Sequence, residues 1–339
     1  MTRSVAIIAC SNGLGHVRRS VAVATALARR GVTATLFARE DRLVRLPGGP
    51  LTSGIDLVEF DTGTTAAALR AGDSYATRWC ERLPRLDDFD LVVSDNLAEV
   101  LERRSDAVLL GQFLWSEAIP DGDVDWIDRS RRLLRQHRPL MLCTGAFAPP
   151  YFASYVRAVD VGLFRLAPVE PGVQDAILIS SGLGGEAGAE ARSLIEAIAA
   201  DPPPVRQVLV EPELLPSASP DWLVAADFGP GMYGRLVAAV SRPGMGTVTD
   251  CLLAGVRVFA FCEPGNEEVA LTARRLADLG LGEACANARA AWQAALTYLD
   301  DPAARAEHAG RCAALPGEGA EHAAAVLLGE LDRACRSHA

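Results

Sequence analysis

The sequence predicts an α/β protein made of two Rossmann-like domains, each a doubly wound parallel sheet, facing each other across a cleft. Three observations carry that expectation. The chain has 339 residues, more than one ordinary domain and enough for two. A strand, glycine loop, helix and strand open it between Ser4 and Phe37. The same pattern returns in Val237–Gly280, VAAVSRPGMGTVTDCLLAGVRVFAFCEPGNEEVALTARRLADLG. The strands in both runs are short and almost wholly apolar, as strands covered by helices on both faces are.

Ser4–Cys10 (SVAIIAC) reads as the first strand and Ser11–His16 (SNGLGH) as its loop. Val17–Arg30 reads as a helix with Val21, Ala24, Leu27 and Ala28 on one face, and Val32–Phe37 as the next strand. Gly13 and Gly15 lack the third glycine of a dinucleotide fingerprint, which argues against a nicotinamide enzyme. Ile55–Phe60 is a strand, Thr62–Gly72 a small, polar acceptor loop, Ser74–Leu86 a helix, and Phe89–Ser94 a strand ending in Asp95-Asn96. After a strand at Ala107–Gln112 come Trp115-Ser-Glu117 and the acidic run Asp121-Gly-Asp123-Val-Asp125. That run reads as the start of a helix, as a wall for a cationic acceptor, or as a metal motif. It lacks both the glycine of a calcium loop and a preceding apolar strand, so no metal is expected.

Pro139–Cys143 is strand-like, and Thr144–Phe164, rich in Ala, Pro and aromatics, joins the halves. Asp175–Ile179 and Val205–Val210 are strands of the second half, with the loop Ser180–Gly185 between the first of them and a helix from about Ala187. Past Gly280 the chain is alanine-rich and helical to Gly329, and Arg333–Ala339 reads as frayed. The expected domains are 1–165 and 166–330, with 331–339 as a tail.

Within Val237–Gly280, Arg242–Gly246 is a loop with two glycines, and Thr247 is placed to cap a helix over Val248–Ala254. Backbone N–H groups with little side chain around them suit a diphosphate. Asp250, expected on the first turn, can accept two hydrogen bonds from a ribose diol. Glu267 and Glu268 open the following helix, at the positive end of its dipole. His16 is one of five histidines, and the other four lie in arginine-rich or alanine-rich helical text. It is read either as a general base or as a residue bonded to its own loop. Asp95 either orients His16 or caps the next helix.

The net charge of −10 and pI near 5.1 argue against nucleic acid or an anionic membrane as partner. No apolar run reaches the ~18 residues of a membrane span, and Val5–Cys10 is too short for a signal segment, so a cytoplasmic setting is expected. None of the eight cysteines forms a C-x-x-C pair, and all read as buried thiols. Every one of the 33 basic residues is arginine, which excludes P-loop ATPases and Schiff-base enzymes, both of which need a lysine. No cofactor is expected. The sequence does not set the oligomeric state; a homodimer is one candidate.

The run SRPGMGTVTD resembles the donor-binding motif of GT-B glycosyltransferases. It is most similar to the bacterial N-acetylglucosamine transferase of peptidoglycan synthesis and to the wider UDP-glycosyltransferase superfamily. The resemblance implies that Gly244, Met245, Gly246 and Thr247, with Arg242 in the same loop, hold the nucleotide diphosphate. It implies that Asp250, where the family usually has Glu, holds the ribose. The family's second loop ends in an acid or Gln followed by Gln, which read the sugar hydroxyls; here those places hold Glu268 and Val269, with Glu267 before them. Ser181 and Gly182 match the loop that approaches the donor phosphates, and FGPGMY around Met232 matches the stretch that reads the uracil edge. SNGLGH…R is similar to the start of the same transferases and of the nucleotide-sugar hydrolase of pseudaminic acid synthesis. It implies that His16 is the base. Asn12, Gly13, Gly15, Trp115 and Glu117 are the residues expected on the acceptor side, the last two in a middle stretch that the resemblance does not cover.

The implied function is inverting transfer of a sugar from a UDP-sugar to a hydroxyl of a small acceptor, such as a bacterial natural product, without a metal. The Glu-x7-Glu pattern of retaining enzymes is absent, since the eighth residue after Glu263 is Leu271 and after Glu267 is Arg275. A nucleotide-sugar hydrolase, an epimerase and a non-catalytic nucleotide-sugar-binding protein are the alternatives. Phe113, Trp115, Trp126, Phe147, Tyr151, Phe152 and Tyr155 either line the acceptor side, which favours transfer over hydrolysis, or form core.

Overall fold

The computed structural model describes residues 3–46, 53–182, 186–200 and 203–337. The chain forms two compact units, Met1–Leu166 with Pro316–Ala339, and Ala167–Leu315.

Among the described residues of the first unit, seven strands make one sheet: β1 (Ser4–Ile8), β2 (Thr33–Ala38), β3 (Ile55–Glu59), β4 (Leu91–Asp95), β5 (Val108–Leu110), β6 (Leu140–Cys143) and β7 (Arg157–Asp160). All are parallel, in the order β3-β2-β1-β4-β5-β6-β7. The second unit has β8 (Ala176–Ser180), β9 (Gln207–Val210), β10 (Leu223–Ala225), β11 (Leu236–Ser241), β12 (Arg257–Ala260) and β13 (Gly282–Ala284). They too are parallel, in the order β10-β9-β8-β11-β12-β13. Each sheet therefore reverses its winding once, between β1 and β4 and between β8 and β11. A doubly wound sheet opens at such a point, just past the carboxyl ends of its strands. The strands on either side of each reversal are buried almost throughout, while the edge strands β3 and β7 are mostly exposed.

Four expectations need correction. The first helix is Leu14–Ala28 rather than Val17–Arg30, because Gly13 turns the chain with φ +83°. Only glycine adopts that angle cheaply, so the helix starts three residues early and takes His16 into its first turn. The helix expected over Ser74–Leu86 breaks into Ser74–Thr77 and a 3-10 turn, Trp79–Arg82. The break sends Trp79 into the core, where its Nε1–H donates to Glu99 at 3.2 Å. β7 lies in the stretch read as a joining segment; as a polar edge strand, it shows no buried pattern to detect.

The fourth correction concerns the C-terminus. The helix Gly319–Ser337 belongs to the first unit, not to a domain ending at 330. Ala320, Ala323, Ala324, Leu327 and Leu331 form one stripe at helical spacing, and it buries against the helix Leu14–Ala28. Arg30 pairs with Glu321, and Arg3 with Asp332 at 2.5 Å. Gly319 N–H donates to Leu163 O at 2.9 Å, and a Cβ there would meet that oxygen at 2.7 Å. Alanine-rich periodicity shows a helix but not which core it completes.

Candidate active site

The first constellation sits where the first sheet reverses. β1 feeds the loop around Asn12 and Gly13, and the helix that follows carries Gly15 in its first turn and His16 and Arg19 one turn apart. β4, paired with β1 from Val5↔Leu91 to Ile8↔Ser94, ends in Asp95 beside them. His16 Nδ1 lies 2.6 Å from Asp95 Oδ1. Arg19 donates to both oxygens of that carboxylate, from Nη2 to Oδ1 at 2.7 Å and from Nε to Oδ2 at 3.0 Å. Ser20 Oγ reaches Oδ2 at 3.5 Å. Asp95 is 0% exposed and His16 7%.

Burial alone would raise the Asp95 pKa. The charges of Arg19 and His16, and their hydrogen bonds, outweigh it and hold the carboxyl below the usual range. An ionised carboxylate only accepts, so Nδ1 carries the proton in this pair. Arg19 Nη2, 3.4 Å from Nδ1, is then a contact between two donors rather than a bond. No described group bonds to Nε2, which has a lone pair to offer whenever Nδ1 alone carries a proton. The next short helix, Ala98–Glu102, has no side-chain cap, so Asp95 serves the histidine and not a helix start.

Two further groups hold the ring, and neither was evident from the sequence. Asn96 adopts φ +58°. With its amide oriented by its surroundings, its nitrogen donates to Phe113 O at 3.0 Å and Leu110 O at 3.2 Å. That ties the segment after β5 to the end of β4. The segment in turn places Trp115 nearly parallel to His16, with centroids 6.3 Å apart, and Phe113 edge-on at 6.0 Å. Gly111 is required here because a Cβ would fall 1.4 Å from the nearer end of the Asn96 amide.

Trp115 therefore packs the histidine rather than lining an open acceptor wall; it is 5% exposed. Phe113, Trp126, Phe147, Phe152 and Tyr155 are likewise buried, and Tyr151 packs against the same core. The expectation that these aromatics line an acceptor side is corrected: closing the layer beside the first sheet takes nearly all of them. Glu117 accepts from Arg131 Nε at 2.6 Å and Nη2 at 3.1 Å and so closes a local ion pair. Asp123 caps the helix Val124–His137, accepting from Trp126 N at 2.9 Å, and Asp121 accepts from Arg70 at 2.9 Å. Asp125 lies in the first turn of that helix. The acidic run is a helix start. Among the described residues no group of three or more His, Cys, Asp or Glu is placed to hold a metal.

The second constellation sits where the second sheet reverses. Past β8, Ser180 Oγ, Ser181 Oγ and Gly182 N all donate to the Glu211 carboxylate, at 2.6, 2.8 and 2.7 Å. Glu211 follows β9 directly and was not anticipated; its only signal is a carboxylate at the end of the strand next to β8. The rest of that glycine loop, residues 183–185, lies outside the described residues. Past β11, Gly244 is the N-cap of the helix Met245–Leu253, which has no side-chain cap. Met245, Gly246 and Thr247 are thus its first three residues, whose N–H groups have no partner within the helix. Thr247 is in the first turn and does not cap the helix. Asp250 falls in the second turn, 4% exposed and with an interaction inside the protein.

Arg242 lies between the two loops. Its Nε donates to both Glu263 oxygens, at 2.8 and 2.9 Å. Its Nη1 is 3.7 Å from where a Cβ on Gly182 would be and 3.8 Å from one on Gly244. Glu267 pairs with Arg274 at 3.5 Å, and Glu268 O accepts from Thr272 Oγ1 at 3.0 Å. Met232 N donates to Gly229 O and Met232 O accepts from Arg235 N, at 3.1 and 3.0 Å, so local turns engage the backbone groups expected to read a base edge.

The seven described cysteine side chains are free thiols. Burial pushes Cys143 and Cys312 up to about 12 and Cys80 to about 11. Such thiols are poor nucleophiles.

No protein-family model matches the chain, and no curated protein matches it in sequence. Solved structures do match. The calicheamicin glycosyltransferase CalG4 superposes with a TM-score of 0.63 over 100% of both chains at 21% identity. The glycosyltransferase VinC, solved with dTDP, superposes at 0.63 over 98% of this chain and 100% of its own at 17% identity. This is the GT-B glycosyltransferase fold. A UDP-glucosyltransferase from Polygonum tinctorium shares it at a TM-score of 0.67, covering 96% of this chain and 98% of its own at 12% identity. Both reversal points, with His16 at one and Arg242 at the other, therefore belong to a GT-B architecture. Among the described residues no helix is long and apolar enough to cross a membrane.

Proposed function

We propose that the protein is an inverting glycosyltransferase that moves a sugar from a nucleotide sugar, with uridine as the nucleoside, to a hydroxyl of a small molecule. The observation that carries this reading is the His16–Asp95 pair at 2.6 Å on a glycosyltransferase fold, with Nε2 unbonded among the described residues. In this reading the first unit supplies the base and the second the donor seat.

Asp95 fixes the tautomer and orientation of His16. Nε2 takes the proton from the acceptor hydroxyl, and the oxygen forms its bond to the anomeric carbon from the face opposite the diphosphate. The bond from that carbon to the phosphate oxygen breaks, its electron pair leaves with the nucleoside diphosphate, and configuration inverts. Arg242 and the N–H groups of Met245, Gly246 and Thr247 stabilise the charge that gathers on the leaving group. Ser181 and Gly182 shape the loop beside it through Glu211. Asp250 takes the ribose by exchanging its internal partner. The reaction proceeds without a metal, and turnover unaffected by EDTA is the expected result.

Hydrolysis of a nucleotide sugar is the second reading, and the burial of the aromatics favours keeping it. A bulky acceptor has lost the lining that would have argued for it, and water can use the same base. One assay separates the readings. Nucleotide sugars are screened for thermal stabilisation, and release of the nucleoside diphosphate is followed with and without acceptor alcohols. Release accelerated by one class of alcohol, giving a product of inverted configuration, supports transfer. Equal release without acceptor, giving free sugar, assigns the hydrolase. No release from any nucleotide sugar defeats both.

A further inference from the structure

An arginine with one nitrogen tied and its fork left open is an unusual object at a loop crossing. Arg242 Nε donates side-on to Glu263, at 2.8 and 2.9 Å, and no described group bonds to Nη1 or Nη2. Arg235, in the same unit, shows the contrast: its Nη2 is taken by Asp175 at 3.0 Å and Gln207 at 2.8 Å. The Arg242–Glu263 pair is largely shielded, with side chains 20% and 13% exposed. Glu263 is itself fixed. Its Oε1 accepts from Asn266 Nδ2 at 2.8 Å, and Asn266 caps the helix Glu267–Asp278 by accepting from Val269 N at 3.4 Å. The rigid start of one helix thus sets the arginine that stands at the start of another.

We propose that Glu263 is a positioning residue for the donor diphosphate. It holds Arg242 by Nε so that Nη1 and Nη2 point together at two phosphate oxygens beside Gly182 and Gly244. A planar fork suits such two-point recognition, and holding it in place beforehand removes the entropy cost of ordering a long side chain on binding. The second loop then governs diphosphate binding and departure instead of reading sugar hydroxyls. Glu211 strengthens the case: it already takes the Gly182 N–H at 2.7 Å, so that group is not offered to the anion beside Arg242. The proposal rests on the donor-site reading of the second unit.

The sign of one substitution is decisive. A carboxylate near a phosphate repels it, so a bystander Glu263 replaced by Gln would tighten anion binding. A positioning Glu263 replaced by Gln should weaken it. Calorimetry on the full chain would measure inorganic pyrophosphate, UDP and uridine against the parent, Glu263→Gln, Glu263→Asp, Arg242→Ala and the Arg242→Ala/Glu263→Gln double variant. Glu263→Gln is expected to weaken pyrophosphate and UDP about tenfold, the scale of a charge-assisted hydrogen bond, and to leave uridine unchanged. Glu263→Asp should restore part of the loss, and the double variant should be no worse than Arg242→Ala.

Unchanged or tighter pyrophosphate binding by Glu263→Gln, an equal loss for uridine, or full additivity in the double variant would overturn the proposal. If Glu263→Gln does not fold, Asn266→Ala loosens the same carboxylate and should give a smaller loss of the same pattern; no loss overturns it. Arg242-dependent binding of pyrophosphate without any binding of UDP would keep the positioning role and remove the nucleotide-sugar reading. UDP binding indifferent to Glu263 would do the reverse, and a parent that binds neither defeats both.

Discussion

His16 is held on three sides, by Asp95 at Nδ1, Trp115 on a face and Phe113 at an edge, and only Nε2 is left to act. Replacing it with Ala should cut kcat by about 10²–10⁴, the usual worth of a general base, with UDP affinity nearly unchanged. Steady-state rates and UDP titrations of a folded variant check this; full activity would leave His16 a packing residue. Asp95 carries a consequence for pH. Its folded pKa lies below its unfolded value, so the folded state binds fewer protons than the unfolded state where the two differ. The resulting stability is complete above about pH 4, near the ordinary aspartate value, and is lost as pH falls through the depressed folded value. Melting curves from pH 6 to pH 2 should show this acid loss, and Asp95→Asn should flatten that part of it. An unaltered acid limb in the variant would place the sensitivity elsewhere.

At the scale of elements, the helix Val124–His137 tests the reassigned acidic run. Asp123 caps it and Asp121 meets Arg70 in an exposed pair, so Asp123→Ala should cost about 1 kcal/mol of stability and Asp121→Ala much less. Denaturant midpoints compare the two, and equal costs would contradict the cap. The elements themselves were legible to different degrees. β1, β4, β8 and β11 announce themselves because strands buried on both faces are written as short apolar runs. β7 was invisible, since an edge strand need not bury anything. His16 and Arg242 could be found because each follows a strand within a glycine loop. Asp95 could be offered as the partner of His16 because it ends a strand, where a side chain can reach a neighbouring loop. Glu211 could not: it lies 29 positions from Gly182 in sequence, and only strand order brings it to that loop. The Trp115 ring looked like a wall and proved to be a brace, because sequence gives an aromatic's size but not the direction in which its helix faces.

For the whole molecule, the first unit is closed by residues that come after the second. Residues 167–315 form one uninterrupted stretch with its own six-stranded sheet among the described residues. Expressed alone, that stretch should fold and melt cooperatively. Residues 1–166 alone should not, whereas 1–166 joined by a short linker to 316–339 should regain a melting transition. Circular dichroism on the three proteins checks this. Equal folding of 1–166 with and without 316–339 would show that the last helix is dispensable.

The same arrangement fixes an order of events during synthesis. The ribosome makes the helix Leu14–Ala28 early and its partner Gly319–Ser337 some 300 residues later. At ~5–20 residues per second the nascent chain carries uncovered, for tens of seconds, the face of the first helix that the last helix will bury, while the inserted unit is made and folds ahead of it. A nascent chain stalled before Pro316 would hold a finished second unit and an unfinished first one. Chaperone occupancy on translating ribosomes should therefore persist until the last helix emerges, rather than fall when the first sheet is complete.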